Sequence, residues 1–143
     1  MTHQEAKELL LLHSFSHPSS AEDPRAASGF LGSLRPFSGS LNPANLHEVM
    51  AALETLAPDL TGPSLDREII SALWGITHLA RAWGVEPGGM LRRNNLISED
   101  DVSTLSTWVE TISYATFMLL DGAGIDVAFH DYREMVRSPR PVE

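Results

Sequence analysis

The chain of 143 residues and 15.7 kDa is 43% hydrophobic and 20% charged, a composition that supports one folded core and argues against overall disorder. Ten Lys and Arg against 19 Asp and Glu give a net charge of -9, which repels phosphate backbones and anionic lipid surfaces and so argues against nucleic-acid and membrane partners. No cysteine is present, which removes disulfides, thiolate nucleophiles and cysteine-type zinc sites, and no apolar run approaches the length of a bilayer span.

The opening MTHQEAKE lacks the positive-then-apolar order of a secretory signal, so a cytoplasmic protein is expected. Thr2-x-x-Glu5 reads as a capping box that starts a first helix running to about His13. The segment from Ser14 to Asn42 follows, with eight Ser, three Gly and three Pro among 29 residues, a loop composition. It also carries Phe15, Phe30, Leu31, Leu34, Phe37 and Leu41, which a solvated linker does not need. Residues 14–42 are therefore expected to cover the bundle, with a short helix near Pro24–Leu34 capped by Asp23. His13 and His17 stand four apart, as two metal ligands on one helical turn would. Pro18 and the intervening Ser-Phe-Ser end the helix too early for that, and no metal or other cofactor is expected.

Asn42 as N-cap and Pro43 at the first helical position open a second helix, with Leu46, Val49, Met50, Leu53 and Leu56 at helical spacing, expected to stop before Pro58. A third follows Gly62-Pro63, with Ser64 as N-cap and an apolar ladder of Ile69, Leu73, Ile76, Ala80 and Trp83, closed by Gly84. A polar stripe shares this helix: Arg67, Ser71, Trp74, His78 and Arg81 recur at steps of three and four. Such a stripe could line a pocket, with His78 as a proton carrier beside Glu110, Tyr114 or Asp121; an isolated histidine on a helix flank is more often held by one hydrogen bond.

Pro87-Gly88-Gly89 then dictates a turn, and Arg92, Arg93, Asn94 and Asn95 follow in succession. Adjacent guanidiniums repel unless an anion or carboxylate lies between them, so this junction is the candidate ligand-binding site: Arg92 and Arg93 for charge, Asn94 and Asn95 for orientation, His78 and Arg81 as further donors, and Trp74 or Trp83 as a wall. The competing reading pairs both arginines with the protein's own acids.

Ser98-x-x-Asp101 caps the fourth helix, whose positions Val102, Leu105, Val109, Ile112, Thr116 and Leu119 alternate steps of three and four; Trp108, Ala115, Phe117 and Leu120 widen the stripe, predicting a central, largely buried helix. Gly122 and Gly124 end it, and a fifth runs from about Ile125 to Val136 until Pro139 stops it, leaving 137–143 as a flexible tail. No stretch shows the period of two of a half-buried strand, so the expectation is a single all-α domain over 1–143, a bundle of about five helices with the third and fourth antiparallel at its centre.

Ser98–Val136 holds eight acids and one base, an acidic pole that could dock a basic protein. With no catalytic signature present, the composition favours a non-enzymatic protein-interaction module, with a basic partner or a homo-oligomer as its use of a surface. The alternative is an anion- or carboxylate-binding protein or enzyme with its pocket at the junction of the third and fourth helices.

Overall fold

In the computed structural model, which describes residues 1–138, side-chain oxygens of Thr2, Asp23, Asn42, Asp66 and Ser98 accept backbone N–H groups of the following turn at 2.9–3.1 Å and start five helices. Those helices are α1 (His3–His13), α2 (Pro24–Ala27), α3 (Pro43–Thr61), α4 (Arg67–Ala80) and, further along, α6 (Glu99–Leu120). A single turn, α5 (Met90–Arg93), precedes α6, and α7 (Ile125–Arg137) ends the described chain. No strand occurs among the described residues; one antiparallel bridge, Leu34 with Phe37, closes a turn. The protein is all-α, and its five longer helices are those that apolar spacing predicts.

Antiparallel neighbours build the bundle. The start of α1 meets the end of α3 through His3 and Asp59, and its end meets the start of α3 through His13 and Glu48. Arg81, just after α4, pairs with Glu110 of α6, while Gly84, three residues further on, lies against Leu105, five residues further back, so α4 and α6 also run in opposite directions. α6 packs on α3, α4 and α7, which makes it the central helix. Buried side chains from Ala6 to Phe129 form one cluster, including Leu53, Ile69, Leu73, Ile76, Leu105, Val109, Ile112 and Leu119.

Several boundaries differ from expectation, each for a tertiary reason. α3 continues through Pro58 to Thr61, because the extra turn buries Leu60. The N-cap of α4 is Asp66, not Ser64. Its carboxylate also takes a hydrogen bond from Lys7 Nζ at 2.8 Å, and that ammonium holds the Asp66 carboxyl below its ordinary pKa. α4 does not stop at Gly84 but widens into a π-helical turn over Arg81–Val85. Gly84 is buried there against α6: a Cβ would fall 2.5 Å from Leu105 Cδ2. Trp83, expected in the core, is only partly buried, and the guanidinium of Arg35 lies over its ring at 5.5 Å.

The 14–42 segment lies against the bundle. Its helix is one turn, Pro24–Ala27, rather than reaching Leu34, and Phe30, Leu31 and Leu34 are buried; Phe30 meets Trp108 of α6 edge to face at 6.1 Å. Buried His13 anchors the segment: its Nδ1 accepts the Phe30 N–H at 2.9 Å, which leaves Nε2–H to donate to Glu48 at 3.1 Å. Asn45 Nδ2 donates to the Ser28 carbonyl at 3.2 Å from the other side. Arg137 belongs to α7 and Ser138 caps it, and the expected stop at Pro139 and the remaining residues 139–143 lie outside the described residues.

Candidate functional site

The sequence-derived stripe of α4 faces outward. Trp74 is 70% exposed and stacks on the imidazole of His78, with ring centroids 5.8 Å apart and planes at 11°. Arg67 and Arg81 bracket it along the same line, and Arg81 Nη2 donates to Glu110 Oε1 at 2.8 Å. The polar stripes of α4 and α6 therefore do meet, but through Arg81. His78 makes no hydrogen bond to Glu110, Tyr114 or Asp121 among the described residues, so a proton relay through it, the less favoured reading of the stripe, has no acceptor in place.

The expected junction site divides into two groups with different jobs. Arg92 Nη1 donates to the Val85 carbonyl at 3.0 Å and Nη2 to Glu99 at 3.3 Å, so its fork ties the π-turn to the start of α6. Asn94 Nδ2 donates to the Met90 carbonyl at 2.8 Å, and Asn95 adopts the left-handed conformation, φ 56°, that lets the chain turn into α6. Arg93 is exposed. Among the described residues no side-chain hydrogen bond or ion pair joins Arg92, Arg93, Asn94 or Asn95 to Trp74, His78 or Arg81. The carboxylates of Glu99, Asp100 and Asp101 also fill the first turn of α6, where a bound anion would need the positive end of the helix dipole.

The surface beside Trp74 carries the more telling feature. α4 and α6 form an open groove of about 330 Å³ lined by Ile70, Leu73, Trp74 and Thr77 on one side and by Ser113, Thr116, Phe117 and Leu120 on the other. Phe117 is 58% exposed and Leu120 41%, against the expectation that both belong to the buried stripe. The line 110–114–117–121 gave the signal: Glu110, Tyr114 and Asp121 are polar or amphipathic, and steps of four, three and four place Phe117 among them on the solvent side. Thr77 and Thr116 donate their hydroxyls to the Leu73 and Ile112 carbonyls of their own helices, at 3.1 and 2.8 Å, and so present mainly methyl groups to the groove. The groove offers apolar contact and no reactive pair.

A second groove of about 700 Å³ lies among α3, α6 and α7. Leu46, Trp108 and Met135 contribute apolar wall, Asp131 and Glu134 acid, and beside them His47 Nδ1 and the Tyr132 hydroxyl share a hydrogen bond of 2.6 Å. Partial burial of the ring, with Glu54 nearby, raises the Tyr132 pKa and keeps the phenol neutral. No cluster of three or more His, Asp or Glu able to hold a metal occurs among the described residues; His17 accepts the Ser19 N–H at 3.1 Å, and His13 is committed to Phe30 and Glu48. No described helix is long and apolar enough to cross a membrane.

No family model matches the chain, nor does any curated protein or solved structure. The geometry of these surfaces is therefore the whole basis for a functional reading.

Proposed function

We propose that the protein is a cytoplasmic, non-enzymatic interaction module that docks a protein partner through the α4–α6 face. One observation carries this reading: Trp74, Phe117 and Leu120 form a contiguous apolar surface across two helices, each well exposed. Removing one such side chain from water is worth about 1.5–3 kcal/mol, and aromatic residues set in a polar rim are the usual anchors of protein interfaces. Arg67 and Arg81 on one flank, Glu110 and Asp121 on the other, supply that rim. The acidic pole thus contributes one edge of the surface rather than the whole of it.

The test is affinity capture from the native host with wild-type chain and a Trp74→Ser/Phe117→Ser variant as baits. Both positions are solvent-facing, so the variant should retain the helical circular dichroism spectrum. A partner held by wild type and lost by the folded variant supports the reading; equal capture by both rejects it.

A basic segment is the natural occupant of the second groove, where Asp131 and Glu134 line the wall. Such a complex would weaken steeply with salt.

A further inference from the structure

We propose that the partner of the α4–α6 face is a second copy of this chain, packed so that α4 of each protomer lies over α6 of the other, in a four-helix interface about a two-fold axis parallel to the helices. The inference rests on the reading of this face as a docking surface and adds its occupant and geometry.

The charge layout selects the arrangement. Along α4 the outward line places Arg67 two turns before Trp74 and Arg81 two turns after it. Along α6 the outward line carries Glu110 and Asp121 on either side of Phe117. The helices are antiparallel, and Arg81 paired with Glu110 and Gly84 against Leu105 set their register: Trp74 lines the same groove as Phe117, and at about 1.5 Å rise per residue Arg67 falls within about one turn of Asp121. The face therefore has a basic edge and an acidic edge, matched in height to within about one helical turn.

Two two-fold axes lie in such a face. With the axis across the helices, α4 packs on α4 of the other copy and α6 on α6. Trp74 is at the midpoint of 67 and 81, so Arg67 would oppose Arg81 and Glu110 would oppose Asp121, four like-charge contacts. With the axis along the helices, α4 packs on α6 of the other copy at unchanged height. Arg81 then meets Glu110, Arg67 meets Asp121, and each Trp74 meets the other copy's Phe117. Every contact becomes complementary, and the isologous geometry closes at two subunits.

Size sets the strength. From Arg67 to Arg81 the helix rises about 21 Å, and two helices side by side are about 20 Å wide, a flat footprint of about 400 Å² per protomer. This is below the ~800 Å² per partner of a stable interface, so the dimer should be reversible and populated only at high concentration.

Sedimentation velocity on the full chain, from about 1 µM to about 1 mM, tests the proposal. The expected result is a monomer shifting to a dimer with concentration, with association at least tenfold weaker in W74S/F117S. Arg67→Glu/Arg81→Glu should weaken it as well, and adding E110R and D121R to that variant should restore it, because the edges are exchanged but remain complementary. Association unchanged by R67E/R81E would overturn the geometry, since the crosswise packing loses nothing when both of its opposed basic pairs become acidic pairs. A wild-type chain monomeric at every concentration would overturn the second copy as occupant, while face-dependent capture of a different protein would leave the docking reading standing. A dimer indifferent to W74S/F117S would place the interface elsewhere and overturn the proposal.

Discussion

His13 closes α1 with both ring nitrogens committed inside the protein, Nδ1 to the Phe30 N–H and Nε2 to Glu48. Burial disfavours the imidazolium and lowers its pKa below the usual 6.5, more than the Glu48 carboxylate raises it. Protonation would also turn Nδ1 from acceptor to donor and set it against the Phe30 N–H. In the unfolded chain the ring titrates normally, so between the folded pKa and about 6.5 the unfolded state binds more protons. This contribution to stability is complete above pH 7 and declines as pH falls through 6.5 toward the folded pKa. Replacing His13 by Leu should cost about 1–3 kcal/mol at pH 7.5, where the Phe30 N–H loses its buried acceptor. The penalty should shrink at pH 5.5 as the wild type loses its advantage. Urea titrations of both chains at the two pH values measure it, and a penalty that grows on acidification would refute the assignment. Sequence shows His13 only as a helix-end histidine four residues before another; its acceptor role depends on a backbone amide 17 residues away, which no local pattern reveals.

At the scale of elements, apolar spacing and caps locate α1, α3, α4, α6 and α7 because each buries a stripe that repeats along the chain. Local rules fail where a distant contact outweighs them. Asp66 caps α4 in preference to Ser64 with its carboxylate held by Lys7, and α5 is a single turn with no period to read. Pro58 is the clearest conflict. It lacks the N–H that would bond to the Glu54 carbonyl and crowds that carbonyl, yet α3 passes through it because Leu60 is buried beyond. The burial of that last turn offsets a local cost, so removing the cost should show as added stability. Pro58 is exposed, and alanine there leaves no cavity. Pro58→Ala should therefore raise the unfolding free energy, by up to about 3 kcal/mol, the amount a proline takes from a helix interior. A higher denaturant midpoint with an unchanged slope is the expected readout; a lower midpoint would mean that the proline's restriction of the unfolded chain matters more than its strain in the helix.

Across the whole molecule, the buried cluster joins every helix to the 14–42 cover, with Phe30, Leu31 and Leu34 in the same apolar body as Leu105 and Ile112. Composition alone divides these regions, because a Ser-, Gly- and Pro-rich stretch reads as a loop while its phenylalanines and leucines argue that it packs. The candidate site was legible in the same partial way. The stripe of Trp74, His78 and Arg81 was visible at helical spacing, whereas its outward direction and its pairing with Phe117 depend on how α4 and α6 meet. For the cover, the fold gives a definite expectation: it should unfold with the bundle, since opening it would expose Phe30 and the face of Trp108 against which it packs. Trp108 is the buried indole of the three, so a Trp74→Phe/Trp83→Phe chain confines fluorescence to it and makes it a reporter on the cover. Its unfolding curve in urea should coincide with the loss of ellipticity at about 222 nm, the signal of the helices, as one cooperative transition requires. A fluorescence change at lower urea, with the helices intact, would show instead that the cover opens as a separate unit of lower stability, and that His13 and Asn45 hold it less firmly than the core holds the bundle.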